Sequence, residues 1–498
     1  MLLSRNRAGF GKIRALASQA RRFASISAKR QAAVLSSHTS TPARSADSWT
    51  NANPSSEFTV SPKTGFLPRH DPLQVLPSYF EKLEEILDEM PIYKGDGTYG
   101  LLHSGRFGER VERELPLYDV DFIFDNRILS ALYRDYTFLA SAYLLEPCDI
   151  QYRLAQNYGL ARRVLPANIA KPLATIAARL NARPYLEHSM SFTFYNYKRK
   201  DSSAPLSVDN MEPIRRFSGC MAENSYIVGH VAAAQQTGSM VDSALALLAS
   251  VRADTRQVFD QALQSYAKSM VQVNGILSNT LKNTSEYASF RTYLSGCKSQ
   301  PMFNNGVMYE SVVGMSGDSQ YFGVAQSSNP IASLNTHLFQ LSSLSPQGTL
   351  PCSDGIDNLR PENYRAFFTH INAHSSQQHI QSYALKSPVS SSHYVSVLSQ
   401  VLAYRYRQWA NLRDSFHLHT LRSSPEFRTY LDVQTRHIRD IAELIQRTRS
   451  NTDLEMLTPA QRASTDNFAH KAESVRRSLS RVIQDVEPGP LPTSMIAY

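Results

Sequence analysis

The stretch Arg162-Arg-Val-Leu-Pro-Ala-Asn-Ile-Ala-Lys-Pro-Leu173 decides the fold. Proline has no N–H to give to a helix interior, and its φ is already near the helical value, so it favours helix starts. Pro166 and Pro172 therefore bracket a short turn, and the spacing predicts a helix from there to about Leu180. Upstream, Ile128, Leu129, Leu132, Tyr133, Tyr136, Leu139 and Tyr143 recur at the helical period, as do Phe80, Leu83, Ile86, Leu87 and Met90 behind a capping Ser78. Downstream, Phe259, Leu263, Tyr266, Met270, Val273, Leu277 and Leu281 make the clearest stripe, and core packing accounts for it. Residues 394–422, 426–449 (Ile438, Ile441, Leu444 and Ile445 on one face) and 464–484 read as helices, and 343–362 as a proline-broken loop. The pattern is all-α, with no internal repeat.

Composition narrows the class. The 498 residues carry a formal charge of +9, but residues 1–46 hold nine Lys or Arg and no acid. That leaves 43 of the 52 basic residues against 43 acidic ones. The body is neutral, which argues against a nucleic-acid binder. The leader, rich in Arg, Ser and Ala and lacking an unbroken apolar core, reads as a mitochondrial targeting peptide directing the chain to the matrix, with the cytoplasm as second choice. Residues 47–64 read as a disordered linker. Cys148, Cys220, Cys297 and Cys352 have no paired spacing, so neither a zinc site nor a disulfide framework is expected, and no apolar run approaches membrane-spanning length.

Chemistry is concentrated in Glu286-Tyr-Ala-Ser-Phe-Arg291-Thr-Tyr-Leu-Ser-Gly296 and Gly306-Val-Met-Tyr-Glu310. One arginine in an apolar, aromatic segment either pairs with an internal acid or offers its fork of donors to a ligand carboxylate. These runs, the Val-Leu-Pro-Ala-Asn-Ile-Ala-Lys-Pro of residues 164–172, and Asn196-Tyr-Lys-Arg-Lys-Asp201 with Pro205-Leu206 and Asn210-Met211 resemble the indoleamine 2,3-dioxygenase family over about residues 65–422. By itself Lys198-Arg199-Lys200 is a solvated loop.

The resemblance implies a two-domain helical fold, with a small domain at 65–208 and a larger haem-type domain at 209–498. It also implies a haem b cofactor, dioxygen, an indole substrate such as tryptophan, and opening of the indole ring, an oxidoreductase reaction in which no protein base is obligatory. Nothing in it requires an oligomer, and a monomer is favoured. By position it assigns substrate contacts to Arg291, Tyr226, Tyr287, His188, Val324 and Ala325, a distal role to His230, and cofactor contacts to Tyr364, Arg360 and Arg365.

The departures fall in the site. Where the family has the iron-ligating His of P-x-x-H-R-x-F-L, this chain has Pro361-Glu-Asn-Tyr364-Arg365-Ala-Phe367-Phe368. Tyr364 would then be the metal ligand, and a phenolate favours ferric over ferrous iron. His370, His374, His379 and His417 are nearby substitutes. His230 stands where the family has a small serine; its roles range from contact with oxygen or an indole N–H, through iron ligation, to a core histidine satisfied by a carbonyl. Glu286 stands beside Arg291, and Val324 narrows a substrate-facing loop. Two rivals to ring-opening follow: a family member that kept the fold as a ligand-binding or regulatory protein, and a tyrosine-ligated haem enzyme using peroxide.

Overall fold

The computed structural model describes residues 52–53, 55–281, 288–295, 302–303, 306–313, 315, 329–344, 360–415 and 425–486, all within the compact unit Trp49–Tyr498. The described residues are predominantly helical, as the patterns predict. The longer helices are α1 (Glu81–Glu89), α2 (Phe107–Glu114), α3 (Asn126–Ala155), α4 (Ala167–Arg179), α5 (Met221–Ala234), α6 (Thr237–Arg252), α7 (Arg256–Thr280), α8 (Pro330–Leu338), α9 (Glu362–Gln378), α10 (Pro388–Ser415), α11 (Pro425–Ser450) and α12 (Pro459–Val486).

The Arg162–Leu173 stretch is a junction. Val164–Leu165 (β1) pairs in parallel with Met308–Tyr309 (β4), and the Ala167 N–H donates to Glu310 Oε2 at 2.8 Å, so the two quoted motifs meet in space. Arg162 donates to buried Glu146 Oε2 at 2.7 Å, while the N–H groups of Phe107 and Gly108 donate to the same carboxylate at 2.6 and 2.9 Å. One acid thus caps α2 and ties it to α3 and β1. Helix α4 starts directly after Pro166 and carries Pro172 in its second turn. The short turn expected between the prolines is the first turn of the helix itself, and Pro172, which follows it inside the helix, leaves one carbonyl of that turn without its internal donor.

Helix α3 opens on Asp125, which accepts from the Arg127 N–H at 2.7 Å, and it is buried along most of its length. Ser78 begins a 3-10 turn leading into α1 and makes no side-chain cap. Buried Arg215 binds Asp135 of α3 at 2.9 Å and Asp88 of α1 at 2.8 Å, and also reaches Glu84 of α1, which holds the two helices together. Helices α6 and α7 pack side by side, α10 crosses α7, and α11 and α12 cover the outer side of α10. Trp409 Nε1 donates to Thr435 Oγ1 at 2.9 Å across the α10–α11 contact.

Two stretches differ from expectation. Residues 55–64, inside the expected linker, are packed: Phe58 and Val60 are buried, and Asn363 Nδ2 donates to the Phe58 carbonyl at 2.8 Å. Order begins before Gly65 because this segment feeds apolar side chains into the core. Lys198–Lys200 is not a free loop: Tyr197–Arg199 (β2) pairs antiparallel with Met211–Pro213 (β3), and Lys198 faces Glu212 at 3.0 Å. Among the described residues no helix is long and apolar enough to cross a membrane. Cys148 and Cys220 are free thiols, and Cys297 and Cys352 lie outside the described residues.

Gly65 sits at φ +58°, and a Cβ there would lie 2.0 Å from Thr237 Oγ1 and 2.5 Å from the Gly238 nitrogen. Gly65→Ala is expected to lower unfolding free energy by more than about 2 kcal/mol, from combined backbone strain and overpacking. Urea titration of the two proteins checks this; equal midpoints would refute it.

Candidate functional site

After α4 the chain makes a single turn of π-helix, His188–Phe192, whose five residues are all buried. Glu187 begins it, accepting the Ser189 and Met190 N–H groups on Oε2 at 2.7 Å each. Such turns are frequent at functional sites. Here the turn drives His188 into the core, where neither Nδ1 nor Nε2 finds a hydrogen-bond partner among the described residues. Leaving a buried polar group unpaired costs about 1–3 kcal/mol, so a structure that keeps one needs a reason for it.

Opposite stands His230 of α5, with ring centroids 5.5 Å apart and planes at 82°. His230 Nδ1 lies 2.7 Å from the Tyr226 carbonyl. A carbonyl only accepts, so Nδ1 carries the proton and Nε2 keeps its lone pair. The satisfied core histidine foreseen for this position is thus half the truth, since one nitrogen is committed and one is not. Tyr226 lies against His230 at 4.2 Å, and Phe192 and Phe290 continue the aromatic wall at 5.7 and 5.9 Å from Tyr226.

His188, Tyr226 and His230 line a cavity closed by Leu277 and Leu281 of the α7 end, Asn329 before α8, and Tyr404, Arg407, Gln408 and Asn411 of α10. Its volume is about 20 Å³, room for a water molecule. An indole-sized ligand enters only if lining side chains move.

Behind this wall lies a second cluster. Tyr364 of α9 is fully buried, stacks edge-on against Phe66 at 5.2 Å, and donates its hydroxyl to the Phe66 carbonyl. Burial, reinforced by the Glu187 charge, pushes its phenol well above the usual range, so it stays protonated. Arg360 is buried, donates to Ser333 Oγ at 2.6 Å, and lies over the Phe368 ring at 4.9 Å. Its charge acts on Glu187, His188 and Tyr364 together. Burial raises Glu187 to about 7 and lowers His230 to about 4 and His188 well below its ordinary value. Both imidazoles are neutral at physiological pH.

The structure therefore brings together His188, Tyr226, His230, Arg360 and Tyr364. Arg291 ends a short helical turn at Ala288–Arg291, half-buried, with its charge beside Tyr158 rather than on the cavity. The charged neighbours of Arg365 are Glu362 and Arg183. Tyr287, Val324, Ala325, Glu286 and His417 lie outside the described residues. His374 Nδ1 meets the His370 carbonyl at 2.9 Å one turn back, and His379 is an exposed helix end. Among the described residues no three His, Cys, Asp or Glu side chains could hold a metal ion together. Glu187 and Arg407 were not singled out from the sequence. Glu187 shows only as an acid preceding a histidine in an apolar run, and Arg407 only through its i, i+3 spacing from Tyr404.

The family model for indoleamine 2,3-dioxygenase matches residues 54–408. The chain belongs to that family. Relatives are distant: Indoleamine 2,3-dioxygenase 2 of Homo sapiens is 24% identical over 258 residues, covering 51% of this chain and 58% of its own length. Indoleamine 2,3-dioxygenase 1 of Rattus norvegicus is 22% identical over 259 residues, covering 51% and 59%. Indoleamine 2,3-dioxygenase acdA of Aspergillus candidus is 23% identical over 292 residues, covering 56% and 66%. The chain thus spans less than two thirds of the length of the relatives it matches.

Haem b is the cofactor that family membership implies; the His188 imidazole is a donor suited to it, while the cavity admits the group only if its lining opens. Imidazole and phenol are both iron ligands. The two rings differ in readiness, because His188 has no bond to break, whereas Tyr364 must release its proton and its bond to the Phe66 carbonyl.

Glu187 gives a pH signature. Between its unfolded value of 4.5 and its folded value of about 7, the folded protein keeps a proton that the unfolded chain releases, so stability falls as pH rises through that window. His188 and His230 slope the opposite way, since protonation below about 6.5 favours the unfolded chain. Glu187→Gln isolates the acid: the variant's stability relative to wild type should rise by up to about 3 kcal/mol between pH 4.5 and 7. Denaturant titrations across that range check it, and a pH-independent difference would refute it.

Proposed function

We propose that this protein is a haem-dependent dioxygenase that opens the ring of tryptophan or a related indole. Family membership supports the reaction class. The observation that carries the reading to this chain is the buried pair His188–His230 against the aromatic wall of Tyr226, with unengaged imidazole nitrogens facing a closed cavity.

In this reading His188 would hold the iron, and the buried charge of Arg360, which acts on His188, would help offset negative charge on the cofactor. Ferrous haem, when bound, activates dioxygen. The protein's own tasks are binding and exclusion. Tyr226 and Phe290 flank the indole. His230, its Nδ1 proton fixed on the Tyr226 carbonyl, accepts the indole N–H on Nε2. Leu277 and Leu281 keep water out. Tyr364 is a structural phenol that seats α9 on the Phe66 segment.

Haem titration of the purified chain, read by absorption spectra of the ferric and carbon monoxide-treated ferrous forms, tests the reading alongside a ring-opening assay with tryptophan. The expected result is a one-to-one Soret band, unchanged by Tyr364→Phe and altered by His188→Ala, with a ring-opened product. A spectrum altered by Tyr364→Phe would return the ligand role to the tyrosine and favour peroxide chemistry. If no specific band formed, the protein would instead be a ligand-binding or regulatory family member, a reading that the small cavity and the engaged Tyr364 hydroxyl support.

A further inference from the structure

Helices α11 and α12 begin after residue 408, where the family match ends. They form one body. Arg449 of α11 binds Asp466 of α12 at 2.9 Å, Gln446 Nε2 donates to the Ala469 carbonyl at 2.6 Å, and the α11 stripe Ile438, Ile441, Leu444 and Ile445 is buried. A helical hairpin cemented internally in this way moves as a unit.

Helix α10 lies between that body and the cavity. Tyr404, Arg407, Gln408 and Asn411, spaced i, i+3, i+4 and i+7, share the face that lines the cavity. Trp409 lies off that face, and its Nε1 donates to Thr435 Oγ1 of α11 at 2.9 Å. Near the start of α10, Ser392 Oγ and Thr465 Oγ1 of α12 lie 2.9 Å apart. All four of these side chains are buried, as is His437 of α11, on which the Arg405 charge acts. A seam that buries hydroxyls, an indole N–H and an imidazole is held less tightly than apolar packing of equal area, because each polar group has been stripped of water. On the inner side, Asn274 Nδ2 donates to the Gln400 carbonyl at 3.0 Å and ties the middle of α10 to α7.

A cavity of about 20 Å³ admits nothing larger than water until one wall moves. The π-turn is pinned by Glu187, and α5 and α7 pack into the core, whereas α10 is the wall backed by a separate body. We propose that the α11–α12 hairpin is a clamp that holds α10 against the cavity, which opens only when their seam loosens. Every ligand of the cavity then bears the cost of that opening, and its apparent affinity falls by the fraction of molecules that are open. The clamp needs only the cavity and holds whatever the ligand is.

Labelling of the full chain with diethyl pyrocarbonate tests it without haem or indole, so the outcome is independent of the dioxygenase reading. A neutral imidazole nitrogen attacks the reagent, takes up its ethoxycarbonyl group and releases ethanol and carbon dioxide. His188 and His230 report on the cavity and His437 on the seam, with exposed His379 as the rate standard, each read by peptide mass spectrometry. Two changes act on the seam: Ser392→Cys with Thr465→Cys, whose disulfide fastens α10 to α12, and Thr435→Val, which removes the acceptor of the Trp409 N–H. The disulfide should slow labelling of all three buried histidines about tenfold or more against the reduced form of the same variant. Thr435→Val should speed all three about threefold to tenfold. Should the disulfide not form, the Thr435→Val comparison decides alone. Rates at His188 and His230 that stay unchanged, whether or not His437 responds, would overturn the proposal.

Discussion

A single carboxylate oxygen accepting two backbone N–H groups sets the position of everything in the site. Glu187 Oε2 gathers the amides of Ser189 and Met190 at 2.7 Å each, so the turn that follows winds as a π-helix within the core. Without that cap the amides would be buried donors with no acceptor, and this segment of the chain would have reason to seek solvent. With it, His188 arrives 5.5 Å from His230. The same acid lies within the field of Arg360, whose charge also reaches Tyr364, so one electrostatic unit spans the π-turn and α9. Burial and Arg360 act on Glu187 in opposite senses, and burial wins.

Much of the scaffold was legible because helix formation is a periodic property. The stripes at 128–143 and 259–281 predicted α3 and α7 from spacing alone, and the prolines at 166 and 172 marked the start of α4 to within a turn. What could not be read was pairing between distant segments. Nothing in Val164–Leu165 announces a parallel partner at Met308–Tyr309, and Lys198–Lys200 looks solvated until Met211–Pro213 is laid beside it. Residues 55–64 looked like a linker by composition, yet Phe58 and Val60 are core residues, which composition averages away.

Resemblance named site positions without their chemistry. Resemblance placed His188, His230, Tyr226, Arg360 and Tyr364, and the structure gathers these five. It did not say which of their polar atoms were already used. Tyr364 reads from sequence as an iron ligand, and only the Phe66 carbonyl, some three hundred residues away in the chain, shows its hydroxyl engaged. Arg407 reads as an ordinary charged residue in a helix, and only the α10 face it shares with Tyr404 makes it notable.

Asn363 holds Asn53 and Phe58 across separations of 310 and 305 residues, next to the Tyr364–Phe66 contact at 298. During synthesis the amino-terminal segment therefore waits, unpaired, until α9 has left the ribosome, and the cavity waits longer still for α10. Contacts of such separation are entropically expensive to close and expose apolar surface meanwhile. The nascent chain should thus depend on chaperones late in translation, and amino-terminal truncation into residues 53–66 would remove the seat of a helix encoded near the other end of the message.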